Sequence, residues 1–151
     1  MSSENTFLTD EVRQRALGLQ SGPATLEVEK GAVARFAEAV GDPSPLYNDE
    51  AAARKTRLGG LAAPPTFLRS LRLERPTLPD APFDRLLDGG SDWEYFEPVR
   101  VGDRITGVVR IADLWERSGR LGTMLFTVLE FTYTNQLGET VATQRNTLIY
   151  Y

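Results

Sequence analysis

Apolar positions along this chain change their period several times, and each change marks a different kind of element. Thr9-Asp10-Glu11 opens a pattern that runs through Leu17 and Leu19, with acidic residues at its start and a close at Gly18 and Ser21-Gly22-Pro23. That reads as a short N-terminal helix. Leu26 and Val28 then alternate with Glu27 and Glu29, which predicts a half-buried strand over Ala24 to Lys30. Between Ala32 and Val40 the spacing lengthens, with Val33, Phe36 and Val40 recurring every three or four residues before Gly41-Asp42-Pro43 stops the run. A second helix is predicted there.

From Gly41 to Pro65 the chain is rich in Gly, Pro and Ala, with one helix-like piece at Asn48 to Lys55. Pro64-Pro65 followed by Thr66 to Leu73 reads as a new helix, since proline fits a first turn and Phe67, Leu68 and Leu71 form an apolar stripe. This is the candidate for a central buried helix. Pro76, Pro79, Pro82 and Gly89-Gly90 make Pro76 to Gly90 a predicted loop.

The C-terminal third is rich in β-branched and aromatic residues, in runs over Ser91 to Phe96, Arg104 to Trp115, Leu121 to Asn135 and Glu139 to Tyr151. Glycine-bearing turns at Val101-Gly102-Asp103, Ser118-Gly119-Arg120 and Asn135-Gln136-Leu137-Gly138 separate them, which predicts an antiparallel meander. One early strand, a central helix and this meander define an α+β domain, a curved sheet around one helix, with its outer face or edge free for dimerisation. At 151 residues and 41% hydrophobic composition the whole chain, 1–151, reads as a single domain.

Composition then narrows the chemistry. A net charge of -4 argues against nucleic acid as a partner. The chain has no cysteine and no histidine, so thiolate and imidazole chemistry are excluded, and no metal or other cofactor is expected. With no basic leader and no run of 18 apolar residues, no membrane association is expected and a cytoplasmic location is the default reading.

The segments Phe36-Ala37-Glu38-Ala39-Val40-Gly41-Asp42-Pro43-Ser44-Pro45-Leu46-Tyr47-Asn48-Asp49-Glu50-Ala51-Ala52 and Gly59-Gly60-Leu61-Ala62-Ala63-Pro64-Pro65-Thr66-Phe67-Leu68 carry a wider likeness. Glu94 to Asp103, Arg117 to Gly122 and Tyr133 to Glu139 extend it over most of the chain. Together they resemble the MaoC-like dehydratases and hydratases of the hot-dog superfamily, and in particular the N-terminal-half type of domain. The resemblance implies a hot-dog fold, a helix wrapped by an antiparallel sheet, working as dimers of domains. Catalytically complete members read Asp, any residue, Asn, Pro, an aliphatic residue, His. Here Asp42 stands at the Asp, Pro45 and Leu46 match, Ser44 replaces the Asn and Tyr47 replaces the His.

An unperturbed tyrosine, with a pKa of about 10, is a poor acid/base at neutral pH beside a histidine of about 6.5. The resemblance therefore implies the substrate-accommodating member of a 2-enoyl-CoA hydratase or 3-hydroxyacyl thioester dehydratase pair. Its expected ligand is an acyl-CoA or acyl-carrier-protein thioester, its expected partner a second, His-bearing hot-dog subunit. Asp42 is the catalytic candidate and is read as vestigial. Ser44, Tyr47, Ala63, Thr66 and Phe67 are the substrate-binding candidates. Alternatives stay open: a homodimeric acyl-thioester binding protein, or a thioesterase in which Asp42 activates water.

Each candidate also has a plainer reading. Asp42, after a helix-ending glycine and before a proline, is an ordinary turn former, and Tyr47 is equally suited to packing. Amides at the start of the Thr66 helix could polarise a thioester carbonyl, yet Pro64 and Pro65 reduce the donors and suit a purely structural entry. Arg54, Lys55, Arg57, Arg69, Arg72 and Arg75 suit the phosphates of coenzyme A or an acidic carrier, or simply form a solvated face. Trp93 and Trp115 read as core or interface residues.

Overall fold

The computed structural model describes residues 6–151. Thr9 caps α1 (Asp10–Ala16) by accepting a hydrogen bond from the Val12 amide at 3.2 Å, as the acidic first turn predicts. After β1 (Gln20–Glu27) come α2 (Lys30–Ala39) and the one-turn α3 (Glu50–Arg54). The remaining strands are β2 (Leu86–Tyr95), β3 (Arg104–Gly119), β4 (Gly122–Thr134) and β5 (Thr140–Tyr150). They join β1 in one five-stranded antiparallel sheet of order β1-β3-β4-β5-β2. With helices on one face of that sheet, the fold is α+β.

Alternation sets which face of the sheet is buried. Ile105, Val109 and Ile111 of β3, Leu125, Leu129, Phe131 and Tyr133 of β4, and Leu148 of β5 are all buried and join one core. A bulge between Ile111 and Asp113 keeps the pattern in phase, so Leu114 turns inward and Asp113 does not.

Three expectations need correction. The meander holds for β3, β4 and β5, but β2 crosses to the far edge and pairs with β5, Tyr95 opposite Ala142. β2 also starts at Leu86, inside the predicted Pro76 to Gly90 loop, because Gly89-Gly90 form a bulge rather than a turn. The register shifts between Asp88 and Ser91, and Gly90 adopts φ 114°.

The expected helix from Thr66 to Leu73 is reduced to a six-residue 3₁₀ run, Pro65–Ser70, without a side-chain cap. Leu71 turns extended at φ -73°, ψ 114°, and the chain continues without regular structure to residue 85. Leu71 and Leu73 then lie against Gly107 of β3. A Cβ on that glycine would fall 2.7 Å from a Leu71 methyl and 3.0 Å from a Leu73 methyl. The inner face of the sheet is thus covered by the 3₁₀ run and an extended, proline-rich strap, with Phe67 packed edge-on against Phe36 of α2 at 5.6 Å.

Candidate functional site

Helix α2 ends in a glycine C-cap that places the first candidate. Gly41 takes φ 72°, its amide donates to the Glu38 carbonyl at 3.0 Å, and the Asp42 amide donates to the Ala37 carbonyl at 2.9 Å. The Asp42 carboxylate then folds back to accept from the Ser44 amide at 3.0 Å, and the Ser44 hydroxyl accepts from the Leu46 amide at 3.4 Å, capping a 3₁₀ turn, Pro45–Tyr47. Asp42 and Ser44 therefore both serve the local backbone. Asp42 borders a depression with Glu38 and Asn48 and does not line the cavity described next.

That cavity, about 330 Å³, is walled by Tyr47, Leu58, Ala63, Tyr95, Phe96 and Val99, among others. Two ties close its floor: the Ala62 amide donates to the Leu46 carbonyl at 3.0 Å, and the Ala63 amide to the Val99 carbonyl at 2.8 Å. Burial in this wall, and secondarily the Asp42 carboxylate nearby, raise the Tyr47 hydroxyl above its ordinary pKa. Tyr47 is therefore neutral at physiological pH, able to donate a hydrogen bond but not to act as a base. Burial likewise raises the pKa of Tyr95.

The predicted residues are brought together only in part. Tyr47 and Ala63 share the cavity, whereas Asp42 and Ser44 do not line it. Thr66 is exposed, and Phe67, 1% exposed, is sunk in the core. The backbone donors considered for a thioester carbonyl are mostly committed. Ala62 and Ala63 donate within the protein, Pro64 and Pro65 have no N–H, and the Phe67 amide donates to the Pro64 carbonyl at 2.9 Å. The six arginines and lysines singled out in the sequence are all exposed, and Arg54 faces Glu50 at 3.8 Å.

Sequence reasoning does not single out Tyr95 and Phe96, which are 43% and 50% exposed at the cavity mouth. They stand at the end of β2, an edge strand on which every residue except Trp93 is exposed. Trp93 stacks between Tyr95, at 5.6 Å, and Tyr133, at 5.8 Å, so an aromatic ladder runs from the core to this open edge. Beneath the ladder, the Tyr133 hydroxyl, pushed up to about 12 mainly by burial, donates to Gln144 at 3.4 Å, and Gln144 donates to Ser91 at 2.9 Å. The consecutive aromatics of Glu94-Tyr95-Phe96-Glu97 were the signal available, since neighbouring strand residues point to opposite faces and one of them must lie outside the core.

Among solved structures, the MaoC-like dehydratase from Rhodospirillum rubrum aligns over 90% of this chain and 92% of its own, with a TM-score of 0.71 and 24% identity. The ChsH1-ChsH2 complex from Mycobacterium tuberculosis aligns over 93% of this chain and 87% of the matched chain, with a TM-score of 0.76 and 20% identity. The fold is thus the hot-dog fold of the MaoC-like dehydratases. The family model for the FAS1-like, dehydratase domain region matches residues 15–144, and the chain belongs to that family. A UPF0336 protein from Saccharopolyspora erythraea is 31% identical over 129 residues, covering 82% of this chain and 80% of its own length. Among the described residues no helix is long and apolar enough to cross a membrane.

Proposed function

We propose that this chain is the substrate-accommodating subunit of a MaoC-like 2-enoyl-CoA hydratase or 3-hydroxyacyl thioester dehydratase, pairing with a second hot dog that supplies the Asp and His. The observation that carries this reading is Tyr47. It stands where the motif this sequence resembles has its histidine, lines the cavity and is neutral there, so that position offers no imidazole-type base while the cavity has room for an acyl group. The commitment of the Ala62, Ala63 and Phe67 amides points the same way, because a catalytic site needs donors aimed at the developing oxyanion.

The uncovered β2 edge supports a partner. An unpaired strand edge offers backbone groups to another chain, and Leu86, Leu87 and Tyr95 are each more than 40% exposed on β2. A solved neighbour, ChsH1-ChsH2, is itself a two-component complex. Tyr47 and Ala63 would contact the acyl thioester, and Asp42 would be vestigial. Coexpression with a hot-dog protein that carries the complete Asp and His motif tests the reading. The mixed complex should hydrate a 2-enoyl-CoA while this chain alone stays inactive. Robust hydration by the purified chain alone would overturn it.

A further inference from the structure

A second cavity, about 210 Å³, lies between the proline-rich strap and the inner face of the sheet, walled by Leu78, Ala81, Phe83, Ile111, Leu125 and Thr127. It is a different place from the Tyr47 cavity. Thr127 and Tyr133 are six residues apart on β4, a separation of about 20 Å, and Leu68, Leu71 and Leu129, at 1%, 8% and 1% exposure, belong to the packed core.

Thr127 is the anomaly in this wall. It is 4% exposed, its hydroxyl has no hydrogen-bond partner among the described residues, and the inward positions on either side of it are Leu125 and Leu129. A valine would have the same shape without an orphaned hydroxyl, so the threonine costs folding free energy unless something outside the chain meets it. Rotation about one bond, χ1, exchanges its methyl and hydroxyl toward the cavity. Thr77 and Tyr150 complete the wall, and its buried members besides Thr127, namely Pro76, Ile111 and Leu125, offer no polar side-chain atom. The volume exceeds the roughly 150 Å³ that suffices for a benzene-sized guest.

We propose that this cavity binds a compact apolar group bearing one hydroxyl or carbonyl oxygen, which pairs with Thr127. The group is either a free small molecule or the far end of a long acyl chain held elsewhere on the protein. Titration of the isotopically labelled full chain with benzyl alcohol should shift the amide resonances of Ile111, Leu125 and Thr127 and leave those of Ala63 and Phe96 in place. Thr127→Val should weaken benzyl alcohol about fivefold while toluene binding is unchanged or tightened. Ala81→Phe, which fills the cavity from the strap without altering any sheet residue, should abolish both and keeps the test open if the first variant folds poorly. Absence of shifts at Ile111, Leu125 and Thr127, or equal benzyl alcohol affinity in Thr127→Val, overturns the proposal. Once benzyl alcohol binds, ω-hydroxypalmitoyl-CoA identifies the source: shifts in both cavities mean an acyl terminus, shifts only around Tyr47 a free molecule. None of these readouts requires a partner subunit or turnover, so their failure is separable from failure of the hydratase reading.

Discussion

Asn146→Leu should loosen the edge strand on which the aromatic mouth of the Tyr47 cavity stands. Asn146 is 3% exposed, and its amide nitrogen lies 2.9 Å from an Asp88 carboxylate oxygen, 3.1 Å from the Gly90 carbonyl and 3.1 Å from the Ser91 hydroxyl. These three acceptors span the Gly89-Gly90 bulge, so one side chain of β5 fixes the kink of β2. Two N–H protons serve three acceptors. One charge-assisted bond contributes about 1.5–3 kcal/mol and one neutral bond about 0.5–1.5 kcal/mol. Asp88, Gly90 and Ser91 are exposed and regain water when the amide is removed, which sets the loss near the lower end, about 2 kcal/mol. For a domain of this size that lowers Tm by roughly 4–8 °C. Thermal melts of Asn146→Leu, Asp88→Ala and the double variant should show a coupling of about 1 kcal/mol. Hydrogen exchange should accelerate at Ser91, Trp93 and Tyr95 more than in β3 and β4. A Tm drop under about 2 °C, or acceleration spread evenly over the sheet, would refute the argument that Asn146 holds the bulge.

Leu68→Ala removes a side chain 1% exposed at the centre of the core and should cost about 2–5 kcal/mol, read as a lowered urea midpoint with unchanged slope; a smaller loss means the strap collapses into the gap. Hydrogen bonds from the Gly90 amide and the Asn146 side chain hold the Asp88 carboxyl below its ordinary value. The folded chain therefore binds that proton less tightly than the unfolded one. The stability this contributes is complete above the unfolded value of about 3.9 and is lost as pH falls through the lower folded value. The stability gap between the parent and Asp88→Asn should accordingly shrink on acidification from about pH 6 to about pH 3; a gap that widens rejects this account. Ser44→Asn with Tyr47→His rebuilds the residues of the complete motif but leaves Pro64 and Pro65 without amide donors. One missing oxyanion donor costs about 10²–10³ in rate, so the double variant alone should hydrate 2-enoyl-CoA weakly, and a gain well beyond about tenfold would show that the donors are not limiting.

The central strands β3, β4 and β5 are legible because their alternation is long and one face is mostly apolar, with Thr127, Gln144 and Asn146 the buried polar exceptions. The helix after Pro65 is not, for a specific reason. Phe67, Leu68 and Leu71 satisfy a helical stripe, while Leu71 and Leu73, separated by Arg72 and followed by Glu74, satisfy a strand-like alternation equally well. What decides between them lies on another strand: Gly107, lacking a Cβ, leaves room for both leucines to lie extended against the sheet. The Gly89-Gly90 bulge is hidden in the same way. Glycine pairs read as turns, and only Asn146, more than fifty residues later, shows that they belong inside a strand.

The candidate site divides along the same line. Gly41 to Tyr47 is a contiguous stretch whose caps and turns are local, so its residues and their plainer roles can be anticipated from sequence. Tyr95, Phe96 and Val99 reach the cavity only through the crossover of β2, which no local pattern encodes. Their arrival also changes what Tyr47 means. A motif that lost only its base would keep amides aimed at a carbonyl opposite it. Here the cavity that Tyr47 lines is also lined by Pro64, Pro65, Ala62 and Ala63, and the amides of the two alanines are already bonded to Leu46 and Val99. Tyr47 is thus neutral and the Ala62 and Ala63 amides are spent within the protein, in a cavity that Glu97 also lines. Room for a guest, a neutral tyrosine and amides already spent within the protein are the features on which the proposed acyl-holding role rests.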